Sequence, residues 1–84
     1  MLQAGQIRAA RALLGWRQQD LAKAAKIGLA TIARIEQGEG MVQGHFATIM
    51  KIQAALERQG IRFTSDPVAG FGVQLANKAE PKEH

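Results

Sequence analysis

Between residues 6 and 38 the chain is cut by Gly15, Gly28 and Gly38 into three stretches, each with room for only about two or three turns of helix. Helices this short do not persist alone, because nucleation is costly and most of their stability comes from packing an apolar face. The glycine spacing therefore demands a bundle of short helices closed around one shared core. Over 6–14 the apolar residues Ile7, Ala10 and Leu14 recur at three and four, with Arg8 and Arg11 flanking them. Gly15 ends that helix. Over 18–25, Leu21, Ala22 and Ala25 share a face, and Asp20 sits in the first turn, where it complements the positive end of the helix dipole. Lys26, Ile27 and Gly28 make a break. Gly28 then serves as N-cap for a helix over 29–37 that turns Ile32 and Ile35 inward, with Gly38 as its C′ residue.

A glycine-rich loop over 38–44 leads to a fourth helix over about 45–59, whose inward residues are Phe46, Ile49, Ile52 and Leu56. Beyond Gly60 the pattern switches to alternation, with Ile61 and Phe63 on one side and Arg62 on the other, and Val73 and Leu75 repeat it after Pro67. The expected organisation is a helical domain over 1–60, a β-hairpin over 61–76 and a flexible tail over 77–84. A two-stranded hairpin alone is marginal in water, so it needs either the helices or another subunit to cover it.

At 84 residues the chain makes one small domain, and folding such a chain removes only about 60% of the surface it exposes when extended. A partner subunit would add burial. With no cysteine, a disulfide-braced scaffold and a thiolate zinc site are excluded, and a cytoplasmic setting fits. No stretch approaches the roughly 18 consecutive apolar residues of a membrane span. The net charge of +4 is unevenly placed: Arg8, Arg11, Arg17, Lys23, Lys26 and Arg34 face Asp20 alone within residues 1–35. Basicity gathered in one half suits either a polyanionic partner or a solvated helical surface.

A short helix, a glycine-containing turn and another short helix suit the helix-turn-helix, whose second helix enters the DNA major groove. The run Gln18-Gln19-Asp20-Leu21-Ala22, then Ala25-Lys26-Ile27-Gly28, then Thr31-Ile32-Ala33-Arg34-Ile35-Glu36-Gln37-Gly38 resembles the lambda repressor and Cro-type (Xre-like) regulators. The preceding Arg-Ala-Leu-Leu-Gly-Trp, residues 11–16, is similar to the lead-in of compact bacterial members, and the resemblance covers roughly residues 6–59. It implies a mainly α, lambda repressor-like bundle of four to five short helices, here with a small C-terminal β-hairpin. It further implies a transcriptional regulator that binds double-stranded DNA through the helix over 29–37.

Carried over position by position, the resemblance makes Leu29, Ala30, Ala33 and Arg34 the base-facing residues. It makes Arg17, Gln18, Lys26, Gln37 and Gly38 phosphate-facing, and it pairs Arg11 with Glu36 as a structural ion pair. Arg34 carries a planar fork that can bond guanine N7 and O6 together. Four positions depart from the family pattern. Leu29 and Ala30 replace the usual polar residues and offer only apolar contact, Arg17 replaces a Ser or Thr cap, and Lys26 stands at a turn position that is often glycine. The segment after the third helix has no Lys or Arg, so any phosphate contact there falls to backbone N–H groups, with Glu39 opposing it.

An enzyme is disfavoured: the only histidines are His45 and His84, cysteine and tyrosine are absent, and no base pairs with a nucleophile. The glycines over 38–44 miss the P-loop and dinucleotide fingerprints, and no cofactor or metal is expected. The rival to a DNA-binding regulator is an antitoxin-like or adaptor module that keeps this fold and binds a protein such as a toxin, a reading favoured by Leu29 and Ala30. A two-fold homodimer reading a palindromic operator is expected, with Ile61, Phe63, Val73 and Leu75 at the interface. The competing use of those strands is a hairpin packed within one chain on the fourth helix.

Overall fold

A computed structural model describes residues 2–76, so the tail expected over 77–84 lies outside the described residues. The element order is α1 (Ala4–Leu14), α2 (Gln18–Ala25), α3 (Leu29–Gln37), α4 (Phe46–Glu57), β1 (Ile61–Asp66) and β2 (Gly70–Leu75). The chain is mainly helical, with four helices and one antiparallel hairpin. Helix α1 begins two residues before the expected start because the Gln6 side chain reaches back to accept the N–H of Gln3 at 2.9 Å, satisfying a donor at the helix entrance. Gly15, left-handed at φ 69°, lets the Trp16 N–H return to the Arg11 carbonyl at 2.9 Å.

The connection from α2 to α3 turns on Lys26, the one non-glycine residue with positive φ among the described residues (φ 59°, ψ 45°). The turn keeps the left-handed geometry that glycine would adopt more cheaply, at a cost of about 1–2 kcal/mol. In return the Ile27 N–H reaches the Ala22 carbonyl at 3.0 Å, and Ile27 packs against the core. That core gathers Ile7, Leu21, Ile32, Ile52 and Leu56, all fully buried, from all four helices.

Two sequence expectations need correction here. Phe46 is 68% exposed rather than inward; the core instead takes Leu2 and Val42, which are drawn together by a Val42 N–H to Leu2 carbonyl bond of 2.8 Å. Helical spacing places Phe46 on the same face as Ile49, but Phe46 and Ala47 in the first turn of α4 are exposed and burial begins only at Ile49. Gly38 does not adopt the left-handed form usual for a C′ glycine: it is extended (φ −74°, ψ 175°), and the left-handed turn falls at Gly40 (φ 76°). The Arg8 guanidinium, which donates to the carbonyls of Glu36 and Gly38, supplies the donors that such a cap would have provided.

In the hairpin Ile61 stands opposite Leu75, Phe63 opposite Val73 and Thr64 opposite Gly72. The face bearing Ile61, Phe63 and Val73 turns to the protein's own helices, and β2 lies mainly along α1, with a lesser contact between β1 and α4. Gln6 pins it there. Buried in α1, its Nε2 donates to the carbonyls of Thr64 at 3.0 Å and Gly72 at 2.9 Å. Gly72 is required for this close pairing, since a Cβ there would lie 2.9 Å from Thr64 Oγ1. At the hairpin tip the Asp66 carboxylate accepts the N–H groups of Val68 at 2.7 Å and Ala69 at 2.8 Å, followed by Gly70 at φ 90°.

Three outcomes are expected. Replacing Gln6 with Ala leaves the Thr64 and Gly72 carbonyls and the Gln3 N–H without their partner, and should lower the free energy of urea unfolding by about 1–3 kcal/mol. Phe46→Ser, at an exposed position, should change it by less than about 0.5 kcal/mol. The bonds from Ala69 and then Val68 hold the Asp66 carboxyl below its ordinary pKa of 3.8. Its contribution is therefore complete above that value and is lost as pH falls through the depressed one. The amide resonances of Val68 and Ala69 should move together in that acid range, and Asp66→Ala should abolish the movement.

Candidate nucleic-acid interface

The arrangement of α3 begins with a carboxylate. Glu36 is 3% exposed, on the inner side of α3 one position after Ile35. Burying an unpaired carboxylate is prohibitive, so its oxygens must be met. Arg11 of α1 meets both, with Nε 2.7 Å from Oε2 and Nη2 2.7 Å from Oε1. Gln18, at the start of α2, donates from Nε2 to Oε1 at 3.2 Å, and Arg11 Nη1 donates to the Trp16 carbonyl at 3.0 Å. One carboxylate thus ties three helices and the α1–α2 connection in a bidentate, charge-assisted geometry. Arg8, one turn before Arg11, closes the C-terminal end of α3, where a cation also complements the helix dipole.

With Ile32, Ile35 and Glu36 held inward, helical periodicity turns Leu29, Ala30 and Arg34 to solvent and leaves Ala33 half-buried. Leu29 is 48% exposed. Arg34 is exposed, and its guanidinium makes no hydrogen bond or ion pair among the described residues. Arg11 is engaged by Glu36 and Arg8 by backbone carbonyls, whereas Lys23 and Lys26 are exposed like Arg34. Arg34 therefore carries an uncommitted positive charge on the face opposite the core.

The residues carried over as phosphate-facing lie at the start of α2, on the α2–α3 turn and at the end of α3. Arg17 is exposed beside Asp20, with Nε 3.7 Å from Oδ2, a solvent-screened contact of little energetic weight. As N-cap it makes no side-chain cap bond; its own N–H is satisfied by the Asp20 carboxylate at 2.8 Å. Gln18 is half-buried, its amide oriented by Glu36 with one N–H committed inward. Lys26 is exposed on the left-handed turn, and Gln37 and Gly38 are exposed where α3 ends. Among the residues expected at a subunit interface, Ile61 is 2% exposed within its own core, and Phe63 and Val73 pack partly against that core. Leu75, 40% exposed, is the member left open to a second copy.

Two contributors were not singled out from the sequence. Arg8 was placed only as a flank of the apolar stripe, although its spacing of three from Arg11 puts both on one side of α1. Gln6 stood at the expected helix start, and its burial has no local signal. No helix among the described residues is long and apolar enough to cross a membrane.

Removing one partner of the clamp should be far more costly than removing an outward residue. Arg11→Ala, which strands the Glu36 carboxylate, should destabilise the fold by about 3–5 kcal/mol in chemical denaturation. Arg34→Ala should cost less than about 0.5 kcal/mol. Comparable losses for the two variants would contradict this division between a buried clamp and a free outer face.

No curated protein matches the chain, and no solved structure does. A family model described as helix-turn-helix matches residues 7–59, which runs from the first turn of α1 past the end of α4 and takes in the clamp, the α2–α3 turn and the outward face of α3. With four helices in this order and the second and third joined by a tight turn, the chain belongs to the lambda repressor-like, Xre-type helix-turn-helix family of DNA-binding regulators.

Proposed function

We propose that the protein is a sequence-specific transcriptional regulator that docks α3 in the major groove of double-stranded DNA. The observation that carries this reading is the exposed Arg34, without a partner among the described residues, on the face of α3 opposite the Glu36 clamp. In this reading Arg34 bonds a guanine edge, while Leu29, Ala30 and Ala33 lie against neighbouring bases. Arg17, Gln18 and Lys26, with Gln37 and Gly38 where α3 ends, approach phosphates. The protein works in the cytoplasm without a cofactor or catalytic step.

It acts as a homodimer on a palindromic operator, with the two reading helices about 34 Å apart. The dimer contact lies at the hairpin end of the molecule, where Leu13 and Leu75 are exposed along one shallow groove. A second reading, an antitoxin-like or adaptor module bound to a protein such as a toxin, is favoured by the exposure of Leu29. Because Leu29 lies on the face assigned to DNA, such a partner and the DNA would compete for it.

Binding measured on a specific and a random duplex across salt concentrations tests the proposal. Arg34→Ala should weaken specific binding by roughly 1–3 kcal/mol and leave non-specific binding nearly unchanged. Arg17→Ala should weaken both and reduce the slope of log affinity against log salt by about 0.9. Equal losses for Arg34→Ala on both duplexes would contradict base reading, and an unchanged slope would remove Arg17 from the interface.

A further inference from the structure

Besides Arg34 and, at its last residue, Gln37, the outward face of α3 carries three side chains that cannot hydrogen-bond. Leu29 and Ala30 are exposed and Ala33 is half-buried, and they present only methyl and methylene groups. In the major groove the apolar feature of a base edge is the C5 methyl of thymine; the remaining edge atoms are donors or acceptors. An apolar side chain pressed against those atoms strips their water without replacing its hydrogen bonds, which is unfavourable. Where this surface meets bases, a pyrimidine methyl is the partner it can accept. Arg34 follows Ala30 by one turn, a rise of about 6 Å along the axis. Base pairs are stacked about 3.4 Å apart, so the methyl contact and the guanidinium contact fall on adjacent or next-adjacent pairs.

Building on the DNA-reading proposal above, we infer that α3 selects a C5-methylated pyrimidine beside a guanine, and that 5-methylcytosine serves in place of thymine. The substitution follows from what the surface lacks. Thymine and 5-methylcytosine share the methyl and differ at the neighbouring ring position, an acceptor in one and a donor in the other. Leu29, Ala30 and Ala33 have no polar side-chain atom with which to tell those apart. Methylation of cytosine therefore converts a weak site into a recognised one.

The test begins with selection from a random duplex pool at near-physiological salt. The enriched duplex is then made in four forms that carry thymine, deoxyuridine, cytosine or 5-methylcytosine at the pyrimidine next to the guanine. Thymine and 5-methylcytosine should bind within about twofold of each other, and each unmethylated form should bind roughly fourfold more weakly than its methylated counterpart. Leu29→Ser, at an exposed position in the first turn of α3, should erase the methyl dependence while leaving the guanine preference that Arg34 supplies. Equal binding of thymine and deoxyuridine forms, an enriched site with no such pyrimidine, or methyl dependence that survives Leu29→Ser would overturn the inference and leave DNA recognition standing. No enriched sequence at all would overturn the DNA-reading proposal itself.

Discussion

The fold turns on a carboxylate taken out of water. Glu36 lies on the core side of α3, where an ion without partners is not tolerated, and it is met by Arg11 from α1 and Gln18 from α2. Desolvating such a pair offsets much of its Coulomb attraction, so it adds little net stability over an apolar replacement. What it supplies is orientation. Helix α3 has little more than two turns, too few to fix its rotation by apolar contacts from Ile32 and Ile35 alone. The bidentate geometry at its C-terminal half, with Arg8 on its last carbonyls, locks that rotation and leaves Arg34 facing outward.

The hairpin answers a different need. A small helical bundle has little buried surface to offset its chain entropy, and the apolar face of the hairpin extends the same core through Ile61. Gln6 makes the attachment specific, because its amide spans the paired Thr64 and Gly72 carbonyls where the absence of a Cβ at Gly72 brings the strands close. The molecule is thereby divided: the helix-turn-helix surface lies around α2 and α3, and the hairpin builds on α1. The apolar strand residues that suited a subunit interface are largely consumed within one chain, and only the margin around Leu75 is left exposed.

Much of this was legible because it is local. The limits of α2 and α3, the left-handed Gly15, the strand alternation and the outward placement of Leu29 and Arg34 follow from periodicity and turn chemistry within a few residues. The family pattern pointed to Arg11 and Glu36, which the fold brings together across 25 positions. Illegible features depend on where the core ends or on distant partners. Phe46 obeys the spacing of α4 yet is left exposed, and Gln6 finds its acceptors 58 and 66 positions away. The competing use, a hairpin packed within one chain on α4, is met only by a lesser contact of β1, and the main support on α1 has no local mark in the sequence. Arg8 displaced Gly38 as the closure of α3 for the same reason.

The central claim is that the face of α3 turned away from the Glu36 clamp is the surface that meets DNA. The most direct measurement is a backbone amide shift map of the protein titrated with a duplex it selects, alongside a scrambled duplex of equal length. The account predicts that the selected duplex moves residues 29–34 and the start of α2 most, that the scrambled one leaves residues 29–34 nearly in place, and that the hairpin tip around Asp66 is unaffected by either. Shifts centred on the hairpin, or identical maps for the two duplexes, would contradict it.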